Sequence, residues 1–450
     1  MSFFDLIAFF LYAFLFYFIV SVQAKKLKDA RLAVFLRNAF VVKVFASFCY
    51  SLFVLYLSKG DTTTLYFPEG YNLYRLILKD PSKLHLLFGE GSAIDAHLLA
   101  NPRQIGYFNE ASNFMVIRVT ALLCFLCFGK YMVVNLFFAM IGFTGIWKLY
   151  LFFYDQFPKL YKHLAIVILF LPTFTFWSSG ILKEPIAIFA LGWFTYAWYQ
   201  LAYYKRRIVR HSLMVVFTIY LFTVIKVYIL VAYLPAFFVF LLLKNAMLVR
   251  RKAAKVFVVI SFLAISVFAF VLLSDVMADA LVEYSGEHLT EGISSYQQNY
   301  QRQNQKSDGS YFSLGVEFNG TLGSLVRIAP AAVVATFFRP FLWESRNIST
   351  LLSSLESLVV MLFTLYVIFK ARPMPFLSTI MRQPVVLYSF IFSITFALFV
   401  GATTLNFGTL VRYKIPAMPF YLVSLILILY YNNKLATAPR PLPTPADKTV

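Results

Sequence analysis

Roughly thirteen apolar runs, each about 14 to 23 residues long, follow one another along this chain, and no other feature limits its fold so tightly. They cover 3–22, 39–57, 114–128, 131–153, 163–177, 185–204, 212–225, 227–243, 256–273, 325–338, 351–369, 384–401 and 415–431. Their lengths approach the ~20 residues a helix needs to cross a bilayer. Hydrocarbon offers no partner to a free backbone group, so such runs cross as helices. Composition agrees: 60% of residues are hydrophobic and 13% charged, against about 25% charged in soluble domains. The expected fold is an all-α integral membrane protein, a polytopic bundle of about 11–13 hydrophobic helices. Residues 1–432 form that domain, and 433–450, "TAPRPLPTPADKTV" with its flank, read as a disordered, Pro-rich cytoplasmic tail.

A net charge of +20 raises the question of nucleic acid, but its distribution answers otherwise. Segment 24–37 carries Lys25, Lys26, Lys28, Arg31 and Arg37 against Asp29. Segments 205–211, 244–255, 370–382 and the tail are also basic, whereas the long polar stretches 58–113 and 274–320 are net acidic. Lys and Arg collect on the cytoplasmic side of membrane proteins, so the basic segments are expected inside and the long loops outside. The first run starts with Asp5 rather than a basic region and has no small-residue cleavage pattern, so it reads as a retained helix with its amino terminus outside. Expected location is the plasma (inner) membrane, with the carboxy terminus cytoplasmic.

Parity sharpens the layout. Four apolar runs separate 58–113 from 205–211, yet an odd number must cross; either 114–128 or 163–177 therefore fails to span. Two runs separate 274–320 from 370–382, and there 325–338, interrupted by Arg327 and Pro330, is the expected exception. About eleven crossings result. Block 185–204 ends inside, so "FWSSGILKEPI" (176–186) sits on the external side or dips in from it. Segments 339–350 and 402–414 reach the same face, joining external loops 58–113 and 274–350.

That face holds Lys183, Arg327, Arg339, Arg346, Arg412 and Lys414, cations on the side that normally avoids them. Ionisable groups at membrane depth are costly and usually face a cavity or a partner. Such cations suit phosphate or pyrophosphate; equally, Lys183 with Glu184 and Arg339 with Glu344 form plain ion pairs, or the side chains snorkel. Asp61 and Glu69, in "SKGDTTTLYFPEGYNLYRLI" (58–77), are the candidate catalytic carboxylates. A carboxylate there can act as general base toward a sugar hydroxyl, or cap the helix that follows. The loop 274–320 is rich in Gln, Asn, Ser and Tyr, side chains that suit carbohydrate.

Other chemistry is missing. Cys124 and Cys127 form an isolated C-x-x-C inside an apolar run and read as core thiols. The five histidines are scattered, so no metal is expected, and no cofactor either. Neither a P-loop nor a G-x-S-x-G elbow occurs. Asn319 and Asn347 head acceptor sequons on the outer side. No convincing internal repeat accompanies the short echo between 324–331 and 409–417.

Three strings carry a family likeness: "PTFTFWSSGILKE" (172–184), "GDTTTLY" (60–66) and "NFGTLVRYKIPAMPF" (406–420). In them the chain resembles bacterial polytopic proteins of polysaccharide assembly, the O-antigen and exopolysaccharide polymerases and the GT-C glycosyltransferases. The resemblance implies a base in the first large external loop, which maps to Asp61, and pyrophosphate ligands near the last one, Arg412 and Lys414. A second Arg is more usual where Lys414 stands, and the glycine before Asp61 is not doubled. The expected activity is glycosyl transfer or polymerisation at the external leaflet, from polyprenyl-(pyro)phosphate-linked sugars. A transporter or flippase of lipid-linked saccharide, and a non-catalytic envelope-assembly protein, are the alternatives. The partners are a lipid-linked saccharide and the bilayer, not nucleic acid.

Overall fold

The computed structural model describes residues 3–58, 60–91, 94–101, 105–246, 311–315, 322–345 and 348–433. The apolar run 256–273, most of loop 274–320, Arg346, both sequon asparagines and the tail from 434 lie outside them. Among the described residues the elements are helices, with one isolated β-bridge between Tyr311 and Asn406. They fall into two compact units that meet in sequence at Lys226 and Val227. Among the described residues seven helices are long and apolar enough to cross a bilayer, or eight if a pair bent by 62° counts as one span. This is a helical, multi-pass membrane architecture.

The first unit holds α1 (Phe3–Lys25), α2 (Ala30–Tyr56), α3 (Phe67–Lys79), α4 (Ala111–Cys127), α5 (Tyr131–Gln156), α6 (Tyr161–Leu169), α7 (Pro172–Trp177), α8 (Lys183–Tyr199) and α9 (Ile208–Ile225). Helix α2 begins well before the apolar run 39–57, because Asp29 caps it by accepting the Arg31 N–H at 2.9 Å. Helices α5 and α8 cross at glycines: a Cβ on Gly192 would lie 1.8 Å from the Gly145 carbonyl oxygen. Small residues allow that approach where lipid supplies no hydrophobic drive.

Contacts along α5, about 39 Å of helix, define the two ends of this unit. At one end Lys130 pairs with Asp5 (3.3 Å), and Phe9 packs on Met132 and Leu136. At the other, the Tyr154 hydroxyl bonds Asp29, while Tyr204 donates to Asp155 at 2.7 Å. Basic segments 24–37 and 205–211 therefore share an end, opposite Asp5 and Lys130.

The same contacts settle the parity question. Tyr161 lies beside Phe35 (5.8 Å between rings) and under Arg31, Thr175 meets Lys43, and Trp177 meets Tyr50 and Phe53. Thus α6 and α7 together run from the basic end toward the other, following α2 in two pieces broken at Pro172. Helix α4 does not make the passage. Its first turn meets Tyr66 and Lys183, and the Leu126 carbonyl near its end accepts from the Tyr12 hydroxyl at 2.6 Å, next to the Lys130–Asp5 pair. Run 114–128 is the one that fails to span.

The second unit comprises α10 (Val227–Ala246), α11 (Leu322–Phe338), α12 (Ile348–Ala371), α13 (Pro373–Arg382), α14 (Pro384–Thr403), α15 (Phe407–Tyr413) and α16 (Met418–Asn433). Helix α11 continues through Arg327 and Pro330 for 17 residues, at the lower bound of spanning length. It packs on α14, where Gly401 faces the Ala332 carbonyl and Thr336 donates to the Ala397 carbonyl at 2.7 Å. Tyr388 of α14 donates to the Tyr233 hydroxyl of α10 at 2.6 Å.

Candidate functional site

The segment between α7 and α8, residues 178–182, breaks the helical ladder inside the first unit, so its polar groups need partners from elsewhere. They come from α2, α5, α7 and the turn that follows α2. Lys43 of α2 is fully buried; its ammonium donates to the Thr175 carbonyl (3.1 Å) and the Ser178 hydroxyl (2.5 Å) at the carboxyl end of α7. Ser179 turns back to the Thr175 carbonyl. Gly180 lies flat against Tyr50, whose ring would stand 1.8 Å from an added Cβ. The Ile181 N–H donates to Asn135 Oδ1 at 2.9 Å, and the Ile181 carbonyl accepts from the Thr62 hydroxyl at 2.8 Å. With the Thr62 proton so committed, the Tyr50 hydroxyl is the donor in its 2.7 Å contact with Thr62.

Lys183 and Glu184 then open α8, and they do not pair with each other. The Lys183 ammonium meets Glu110 at 3.1 Å and the Ser112 hydroxyl at 2.6 Å. Glu184 faces the other way, to Lys226 just beyond α9, at 3.0 Å with side-chain exposures of 1% and 5%. Pro185 is tolerated beside them because the first helical turn needs no N–H donor there. Glu110 also accepts from Asn113 at 2.7 Å. Burial alone pushes its carboxyl up, but Lys183, Ser112 and Asn113 together outweigh that and hold it below its ordinary range.

The two carboxylates picked out in the loop after α2 separate. Asp61 is exposed at the start of a π-helical turn, Thr62–Tyr66, and makes no capping hydrogen bond to it. The Thr62 bond to Ile181 places Asp61 beside the 178–184 segment. Glu69 is buried in α3, and its two oxygens accept the N–H groups of Ala100 (2.9 Å) and Asn101 (2.8 Å). Burial raises its carboxyl pKa despite these donors. Glu69 thus pins the loop that precedes α4.

Within the second unit Arg339, Glu344 and Lys414 come together. The Arg339 guanidinium forks onto Glu344, donates to the Ser313 carbonyl (2.9 Å), and lies 4.3 Å over Phe312 and 5.2 Å over Phe407. Lys414, buried, donates to the Arg339 carbonyl (3.2 Å) and the Ser357 hydroxyl (3.0 Å). Arg412 is half-buried in the last turn of α15, and Arg327 is exposed on α11.

The chain matches no protein-family model, no curated protein and no solved structure.

Sequence reasoning passed over Lys43, Asn135, Glu110 and Lys226. For the first two a signal was present: a lysine and an asparagine inside otherwise apolar runs, where polar groups are expensive. Glu110 and Lys226 lie at run edges, where charge is ordinary, and only the fold brings them to Lys183 and Glu184. No group of three or more potential metal ligands occurs among the described residues.

Proposed function

We propose that this chain is a membrane glycosyltransferase or polysaccharide polymerase acting at the external leaflet on polyprenyl-(pyro)phosphate-linked sugars. The observation that supports it is the Thr62–Ile181 hydrogen bond, which sets an exposed carboxylate, Asp61, next to the segment that ends in Lys183. Asp61 takes the proton of the acceptor hydroxyl as that oxygen bonds the anomeric carbon. The bond from that carbon to the donor phosphate breaks, and the phosphate leaves with the electron pair. Lys183 neutralises the growing charge, exchanging Glu110 for phosphate. Taken by itself, the second unit holds Arg412 and Lys414, the phosphate ligands that the resemblance implies, and Arg339, a phosphate candidate on its charge alone.

The test is elongation of a polyprenyl-pyrophosphate oligosaccharide by the purified protein in sealed vesicles. Asp61→Asn is expected to slow transfer ~10²–10⁴-fold while donor binding persists. Glu69→Gln is expected to lower stability instead, because its role is to hold a loop. Full transfer by Asp61→Asn removes this base assignment.

One observation favours a second reading, transport of the lipid-linked saccharide. Lys43, Glu184 and Lys226 are ionisable residues buried within a membrane unit, the setting in which substrate and ion pathways are found. Passage of the donor across the vesicle wall without lengthening selects that reading.

A further inference from the structure

At the basic end of the first unit, cations converge without a matching set of acids among the described residues. Lys148 of α5 lies 4.6 Å over the Trp193 ring and 4.4 Å over the Tyr196 ring of α8. Tyr196 in turn sits 6.2 Å from the His211 ring in the first turn of α9. Three helices thus close on one spot, and Arg207, which precedes α9, and Arg210, in its first turn beside His211, border it. Arg207 and Arg210 are exposed. Among the described residues the acid within reach is Asp155, which already accepts from the Tyr204 and Tyr199 hydroxyls at 2.7 and 3.3 Å. His211 is buried, with Nδ1 2.7 Å from the Arg206 carbonyl.

The chain bends sharply to make this arrangement. Lys205 (φ 51°) and Arg207 (φ 47°) both occupy the left-handed region, which bulky residues rarely adopt. A fold that holds like charges together on a strained turn calls for an anion. Below the cations, α9 carries an exposed apolar stripe: Val209, Leu213, Val216 and Phe217. A headgroup phosphate beside the cations, with its acyl chains along that stripe, uses both features; a free phosphate uses one.

We propose that Lys148, Arg207 and Arg210 form a binding site for the phosphate headgroup of an anionic phospholipid. Basic pockets between membrane helices bind such headgroups, and each cation near the surface contributes roughly fivefold.

The experiment is native mass spectrometry of the full-length protein titrated with phosphatidylglycerol or phosphatidylcholine. Phosphatidylglycerol is expected to bind preferentially. Arg207→Gln with Arg210→Gln, both at exposed positions, is expected to weaken it roughly 10- to 30-fold. Lys25→Gln with Lys26→Gln removes the same charge from exposed positions outside the cluster and is expected to change binding less than about twofold. Equal losses in the two double variants, or no preference for the anionic lipid, overturn the proposal. So does inorganic phosphate displacing the lipid completely at equal concentration. A melting curve for each variant shows that it is folded.

Discussion

The two units pair acid with base over different distances along the chain. In the first, Lys183 and Glu184 reach Glu110 and Lys226, 73 and 42 residues away in sequence. In the second, Arg339 meets Glu344 five residues on, and Lys414, like Lys43 in the first unit, is held by a carbonyl and a hydroxyl. Distant pairing ties helix ends to one another, so charge there is part of the tertiary fold. Local pairing orients a single turn after α11. The contrast shows that an ionisable residue in an apolar chain has two structural uses, and its partner decides which.

The sharpest way to break this contrast is at Glu184. Glu184→Gln leaves Lys226 buried without its counter-charge, so a loss of about 3–5 kcal/mol is expected in thermal unfolding in detergent. Adding Lys226→Met should restore most of it, since removing both charges also removes their desolvation cost. A Glu184→Gln protein as stable as the parent would mean that the distant pair ties nothing together.

Next in size is Gly180→Ala. Its methyl group must displace the Tyr50 ring, and overpacking of that kind costs about 1–3 kcal/mol. A smaller loss measured in the same way would show that the 178–182 segment yields. In the second unit Lys414→Met should change stability by about 1 kcal/mol or less, because the lost hydrogen bonds are offset by the lost desolvation cost; Ser357 keeps its own 3.3 Å bond to the Arg339 carbonyl. A loss as large as that of Glu184→Gln would erase the distinction between the units.

The smallest effect concerns acid. Glu110 has a lowered pKa in the folded protein, so its contribution is complete above the ordinary carboxylate value, about 4.3. It is lost as pH falls through the lowered value. The side chain is 56% exposed, so solvent screens most of the gain. Lys183→Met should flatten the acid loss of stability between about pH 5 and pH 3, seen by comparing unfolding curves of the two proteins. An unchanged pH profile would detach Lys183 from Glu110 in solution.

Most helices were legible because apolar length is a strong signal: runs 131–153 and 384–401 reappear as α5 and α14 with nearly the same bounds. Charge segregation was legible too, since segments 24–37 and 205–211 meet at one end of the first unit. Run 163–177 looked continuous, however, because hydropathy does not register the break that Pro172 imposes. Helix α4 is as apolar as a spanning helix, and only the partners of its two ends reveal its course. At the site, the unusual character of 176–186 was visible from its adjacent charges. Their partners were not, because contacts across 40 or more residues leave no local pattern.

The course of α4 has a consequence for mapping this protein in cells. A reporter enzyme inserted at Lys130, just past α4, should report the same compartment as one inserted after Leu57. Counting hydropathy peaks assigns those two insertions to opposite compartments and inverts every position between Lys130 and Lys205.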